Sequence, residues 1–132
     1  MLNGWSVGTN YGGSGQLSIR TDDWMGGLFR FDTTSIASKA QIASAKLSVF
    51  VTFRSNANTL KVLPYKMRRA WVAGEATWNL ASSAVAWGKP GANDTTLDRE
   101  PIAADSKLLS NTGAWVEFDI TAMVREWVSN PA

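Results

Sequence analysis

Between residues 45 and 54 the chain alternates strictly. Ala45, Leu47, Val49, Val51 and Phe53 fall on one side, and Lys46, Ser48, Thr52 and Arg54 on the other, with Phe50 interrupting the polar face. That period of two predicts a half-buried antiparallel strand. Residues 114–120 repeat it, with Val116, Phe118 and Ile120 facing inward and Trp115, Glu117 and Asp119 outward. Shorter runs at 17–20, 28–32, 60–67, 101–104 and 107–110 predict further strands. Phe29 and Phe31 share a face in the second of these, and Pro64 marks the third as an edge or a bulge, because proline has no amide to donate. After Thr121, which is placed to cap a helix, Met123, Val124, Trp127 and Val128 recur at spacings of three and four, predicting one short amphipathic helix that covers the strands.

Turn chemistry fills the intervals. Residues 3–15 (NGWSVGTNYGGSG), 21–27 and 55–58 are rich in Gly, Asn, Ser and Asp. The segments FRFDTTSI (29–36) and VEFDITAM (116–123) echo each other, each running a strand into Phe-Asp and then a hydroxyl residue. Many short strands, Gly-rich turns and a single helix predict an all-β protein, an antiparallel β-sandwich of jelly-roll type. The 132 residues suit one module spanning 1–132, large enough to bury its own core.

The connection from about residue 69 to 98 is the anomaly. It carries WVAGEATWNLASSAVAW (71–87), holding three of the seven tryptophans with neither a helical nor a strand period. A connection of that length in a compact domain is more often functional than accidental. Its indoles either plug the end of the sandwich or present flat faces to a ligand. Trp71, Trp78 and Trp87 are therefore candidate stacking residues, with Trp24, and also Trp5 and Tyr11, on the Gly-rich loops. Lys66, Arg68, Arg69 and Lys89 are the nearby cations that could meet a sugar carboxylate. Structural roles are expected for Glu75, accepting amide hydrogen bonds within its turn, for Trp127, on the apolar face of the helix, and for Arg30, whose flanking phenylalanines predict a buried ion pair with Asp32 or Glu117.

Composition narrows the chemistry. There is no cysteine and no histidine, which removes disulfides, thiol nucleophiles, Ser-His-Asp systems and most zinc and copper sites. No cofactor is expected. Asp22 with Asp23, and Asn93 and Asp94 with Asp98, are oxygen donors on loops that would suit calcium if any metal is held. Thirteen basic against eleven acidic side chains leave a net charge of +2, too small to indicate a nucleic-acid partner. No apolar run approaches the roughly 18 residues of a membrane span. The amino end lacks the basic stretch and apolar core of a signal peptide, so it reads as mature protein or as an excised module beginning at an added Met1.

Taken in order, NYGGSGQLSIR (10–20), GLFRFDTTSI (27–36), AKLSVFV (45–51), AWVAGEATWN (70–79), AW followed by PG (86–91) and GAWVEFDITAMVREWV (113–128) resemble the DNRLRE, or disaggregatase-related, family, which overlaps carbohydrate-binding modules associated with alginate-degrading proteins. The resemblance implies a non-catalytic β-sandwich module of secreted or cell-surface proteins that binds polysaccharide or mediates adhesion, through loop aromatics and Arg or Lys that hold an acidic glycan. It also implies a strand just before Leu2 and another just after Ala132. Without both strands, the sandwich is expected to keep an open edge through which it could self-associate. Two other roles compete: a structural spacer or self-assembling unit whose tryptophans are all core, and a polysaccharide lyase or hydrolase working without histidine.

Overall fold

The computed structural model describes residues 1–130. Its elements run β1 (Leu2–Asn3), β2 (Met25–Gly26), β3 (Lys46–Val51), β4 (Leu60–Val62), β5 (Leu80–Ser82), β6 (Val85–Ala86), β7 (Lys107–Leu109), β8 (Ala114–Asp119) and α1 (Thr121–Ser129). The protein is β-rich with one short helix. The strands pair antiparallel as β1–β2, β3–β8, β4–β7 and β5–β6. No helix among the described residues is long and apolar enough to cross a membrane.

The chain divides into two compact units. One comprises Met1–Phe29 with Met67–Pro101, the other Arg30–Lys66 with Ile102–Ala132. In the second, β3 and β8 pair in the register that their alternation dictates, Leu47 opposite Phe118 and Val49 opposite Val116. Their inner faces, with Val62 of β4, close over Phe118, Ile120 and Met123, while Val124 and Trp127 of α1 pack against the same cluster. On the outer face Phe50 lies opposite Trp115, and their rings meet edge to face at 5.3 Å.

Helix α1 starts differently from the sequence expectation. Ile120 occupies the cap position and makes no side-chain bond, while the Asp119 carboxylate accepts the Thr121 N–H at 2.9 Å and the Thr121 hydroxyl at 2.6 Å. Thr121 instead fastens the helix start to the strand, its Oγ1 accepting the Ala45 N–H at 3.0 Å. Arg125 donates to the carbonyls of Ile42 and Ala43, anchoring the helix further.

Several predicted strands do not form. Residues 28–32 and 101–104 carry no ladder, and of 17–20 only Arg20 forms a bridge, to Met25. Pro64 falls beyond the end of β4. Phe53 lies past the end of β3 and is 79% exposed rather than inward. Arg30 is exposed, so the burial that the flanking phenylalanines predict does not arise.

In the first unit the long Trp-bearing connection is ordered. It contains the β5–β6 hairpin, and the Ser83 N–H in the hairpin turn donates to Glu75 Oε2 at 2.7 Å, which holds the Glu75 carboxyl below its usual range. Leu2, Ala76, Ala81, Trp87 and Ala92 form the core, with Leu28, Met67, Trp71 and Trp78 packed against it. Asn10 ties the Gly-rich loop to this turn, donating from Nδ2 to the carbonyls of Ala73 and Ala76.

Candidate functional site

Where β1 leaves its partner, the Gly4 N–H donates to the Trp24 carbonyl at 2.9 Å, which sets Gly4 beside the Trp24 ring. Trp24 and Trp78 stack with ring centroids 6.3 Å apart and planes 8° from parallel. Glycine is needed at the junction. A Cβ on Gly4 would lie 2.5 Å from Trp24 Cε3 and 3.2 Å from Trp78 Cζ2. Gly91, at φ +78°, lies against the six-membered ring of Trp78 as well. Its N–H donates to the Trp78 carbonyl at 2.7 Å, and a Cβ there would meet Cη2 at 2.6 Å. Two backbone segments thus hold the Trp78 ring in place, and Trp24 stands on it 46% exposed.

Trp5 follows Gly4 and is 60% exposed, and the Arg20 guanidinium lies 4.4 Å from its ring centroid. A cation at that distance is attracted by the indole face. Arg20 is held by its own N–H, which donates to the Met25 carbonyl at 3.2 Å. The turn between them carries Asp22 and Asp23 at φ 58° and 55°, both exposed. Two ring contacts, Trp24 on Trp78 and Arg20 on Trp5, thus flank the β1–β2 pairing.

A separate pocket of about 200 Å³ lies in the same unit, lined by Tyr11, Gln16, Leu17, Leu28 and Trp71 among others. Trp71 is half-buried there and packs on the core. Tyr11 accepts a hydrogen bond on its hydroxyl from Asn3 Nδ2 at 3.3 Å.

Of the remaining sequence candidates, Trp87, Arg68 and Arg69 are tied into the scaffold. Trp87 is 5% exposed, and its Nε1–H donates to the Thr77 carbonyl at 3.0 Å. Arg68 grips Glu100 with two bonds of 3.0 and 2.8 Å. Arg69 donates from Nε to Asp98 at 2.8 Å. The exposed Lys89 side chain stands beside the Asp94 carboxylate.

Asp98 is the most enclosed polar group described, with no exposed surface. Its Oδ1 accepts the Gly88 N–H and Arg69 Nε, and its Oδ2 accepts the N–H groups of Lys89 and Asp94, at 2.8 to 3.1 Å. Burial is the strongest single influence on this carboxyl and pushes its pKa up, but the donors together outweigh it and hold the group below the usual carboxylate range. Asp94 is filled in the same way, its Oδ1 accepting the N–H groups of Thr96 and Leu97. In the Asn93–Asp94–Asp98 cluster these carboxylate oxygens thus face N–H donors. Among the described residues, no group of three or more acidic side chains gathers around a point that could hold a cation.

Sequence reasoning placed Trp24 and Trp78 among the candidates but could not pair them, since they lie 54 positions apart. In the sequence Arg20 stands only at the end of a strand-like run. Its signal is the shared Gly- and Asp-rich surroundings of Trp5 and Trp24, which fix the loops but not which ring faces which cation.

The family model described as carbohydrate-binding module family 96 matches residues 2–132. No curated protein and no solved structure matches the chain.

Proposed function

Because the chain belongs to carbohydrate-binding module family 96, a class of generally non-catalytic modules, we propose that it holds a polysaccharide on Trp5, Trp24 and Trp78 of its first unit. The observation that carries this reading is the near-parallel Trp24–Trp78 stack, whose outer ring is exposed. A pyranose has an apolar C–H face that packs on an indole, and a ring already braced by a second indole loses little freedom on binding. Arg20, whose guanidinium lies over Trp5, carries N–H donors that sugar hydroxyls can accept. Arg68 and Arg69 are left out of this contact set because each is engaged by a carboxylate. The proposal carries with it a single jelly-roll sandwich module, supported by the antiparallel ladders of each unit, and a secreted or cell-surface setting, where polysaccharides are met.

In affinity electrophoresis across a glycan panel, Trp24→Ala is expected to weaken retention by the retained polymer about tenfold or more, the scale of losing one well-packed aromatic contact. Gly4→Ala keeps every indole but must push Trp24 away from Trp78, so it is expected to weaken binding in the same direction. Unchanged retention for both variants would falsify the assignment of the platform.

One observation favours a second reading, that of an assembling unit. In the second unit β3–β8 and β4–β7 are each two-stranded ladders among the described residues, and Trp115 is 67% exposed on the outer face of one. Strand pairs with open edges recruit further strands. Sedimentation velocity over a hundredfold concentration range separates the readings, since an assembling unit shifts to larger species and a solitary binding module does not.

A further inference from the structure

We infer a second sugar site in the first unit: the pocket between the Gly-rich loop at 10–17 and the turn at 71–76 receives one terminal pyranose residue of a glycan chain. It stands on membership of the carbohydrate-binding family and is independent of the platform, since neither Trp5, Trp24 nor Trp78 lines this pocket. Its walls are tied together. Asn10 donates from Nδ2 to the carbonyls of Ala73 and Ala76 at 2.8 and 2.7 Å, and its Oδ1 accepts the Gly12 N–H at 3.0 Å. One carboxamide thereby fixes both sides of the cleft. Gly12 has to be glycine for this approach, because a Cβ there would stand 2.3 Å from the Ala73 carbonyl oxygen. The Ser14 N–H donates to the Tyr11 carbonyl at 3.1 Å and the Ser14 hydroxyl to the Gln16 carbonyl at 2.7 Å, so the loop is shaped without a strand or helix in it. A site whose walls are already held loses little freedom on binding.

The lining combines what a pyranose presents. Trp71 contributes a half-buried indole, and Leu17 and Leu28 add apolar surface, which suits the C–H face of a sugar ring. Tyr11 accepts a hydrogen bond from Asn3 Nδ2 at 3.3 Å, which leaves its O–H proton to donate. The exposed Gln16 carboxamide carries both donors and an acceptor, and among the described residues only its backbone is engaged. Sugar hydroxyls donate and accept in turn, so both side chains find complements. Size then selects the part of the chain. A volume of about 200 Å³ lies below the roughly 300 Å³ at which pockets for drug-sized molecules begin. That room suits one sugar unit with the next at the mouth, and so a chain end.

The test is calorimetric titration of the Trp24→Ala protein, in which the platform is disabled, with the disaccharides and hexasaccharides of alginate, laminarin and mannan. At least one disaccharide is expected to bind one to one, and the matching hexasaccharide to bind within about threefold of it per mole, since each chain has one such end. Gln16→Ala on that background should weaken both by about three- to tenfold, the scale of one hydrogen bond, without moving the unfolding midpoint. Tyr11→Phe should act in the same direction, with a urea curve to confirm that the protein folds once Asn3 has lost its acceptor. A hexasaccharide bound more than about threefold tighter than its disaccharide, affinities unchanged in both folded pocket variants, or no disaccharide bound at all overturns the inference. The platform is read separately, from retention of the long polymer by Trp24→Ala against the wild type. Loss of that retention beside unchanged pocket variants leaves the platform and removes the pocket, and the opposite pattern leaves the pocket and removes the platform.

Discussion

Asp98→Ala is expected to destabilise the protein by about 3–5 kcal/mol, the range for removing one partner of a buried charge pair. The side chain has no exposed surface and closes the segment around Arg69 onto the loop at residues 88–94 through four hydrogen bonds. Its removal strands the N–H groups of Gly88, Lys89 and Asp94 and leaves the Arg69 guanidinium without its carboxylate. Asp98→Asn fares little better, because an amide turns an N–H₂ group toward donors on one side. The pH dependence has a definite sign. The folded-state pKa lies below the model-compound value of 3.8, so the contribution of this group is fully present above about pH 4 and is lost as pH falls through the folded value. Urea unfolding followed by tryptophan fluorescence at neutral pH and at about pH 3 should show wild type and Asp98→Ala far apart at the first and closer at the second. A neutral-pH difference under about 1 kcal/mol would mean that the cradle is already satisfied by water.

The reason Asp98 could not be read from the sequence is general to this chain. Three of its four partners are backbone N–H groups, which every non-proline residue carries, and no residue type announces them. Period-two strands were legible because each inward side chain is apolar: Leu47, Val49, Val116 and Phe118 fix both the strands and their register, since a slip of one residue would turn the set outward. The helix was legible for the matching reason, with Met123 and Val128 buried on one face. Phe29 and Phe31 mimic the strand pattern over five residues, yet no strand forms over 28–32, and alternation alone does not make one. At the start of α1 the hydroxyl of Thr121 is visible in the sequence but its partner is not: Asp119, two residues earlier, takes the Thr121 amide, and Thr121 turns to Ala45.

The aromatic site was half legible. Crowding of indoles at residues 71–87 pointed to the unit that holds the Trp24–Trp78 stack, but a segment without a period gives no rule for which rings turn inward. The structure divides them: Trp87 inward, Trp71 against the core beside a pocket, Trp78 braced between Gly4 and Gly91. The glycines carry the missing information. Each is dispensable as a turn residue in isolation and indispensable once an indole edge lies where its Cβ would be.

That division yields an expected contrast between tryptophans. Trp87→Ala removes a ring that is 5% exposed among Leu2, Ala76, Ala81 and Ala92, and the expected cost is about 3–5 kcal/mol, typical for emptying an aromatic site in a packed core. Small alanine neighbours cannot swell to refill the space, which favours the upper part of that range. Trp87→Phe keeps most of the packing but leaves the Thr77 carbonyl without the indole N–H that reaches it at 3.0 Å, so about 1–3 kcal/mol is expected from the orphaned acceptor. Neither change touches the exposed face of Trp24. Folded Trp87→Phe should therefore retain glycan as the wild type does, whereas Trp24→Ala should lose retention with little change in unfolding midpoint. Denaturation curves and affinity electrophoresis on the same two preparations measure both arms. Loss of glycan retention by a fully folded Trp87→Phe would move the binding surface from the Trp24 stack to the rings of residues 71–87.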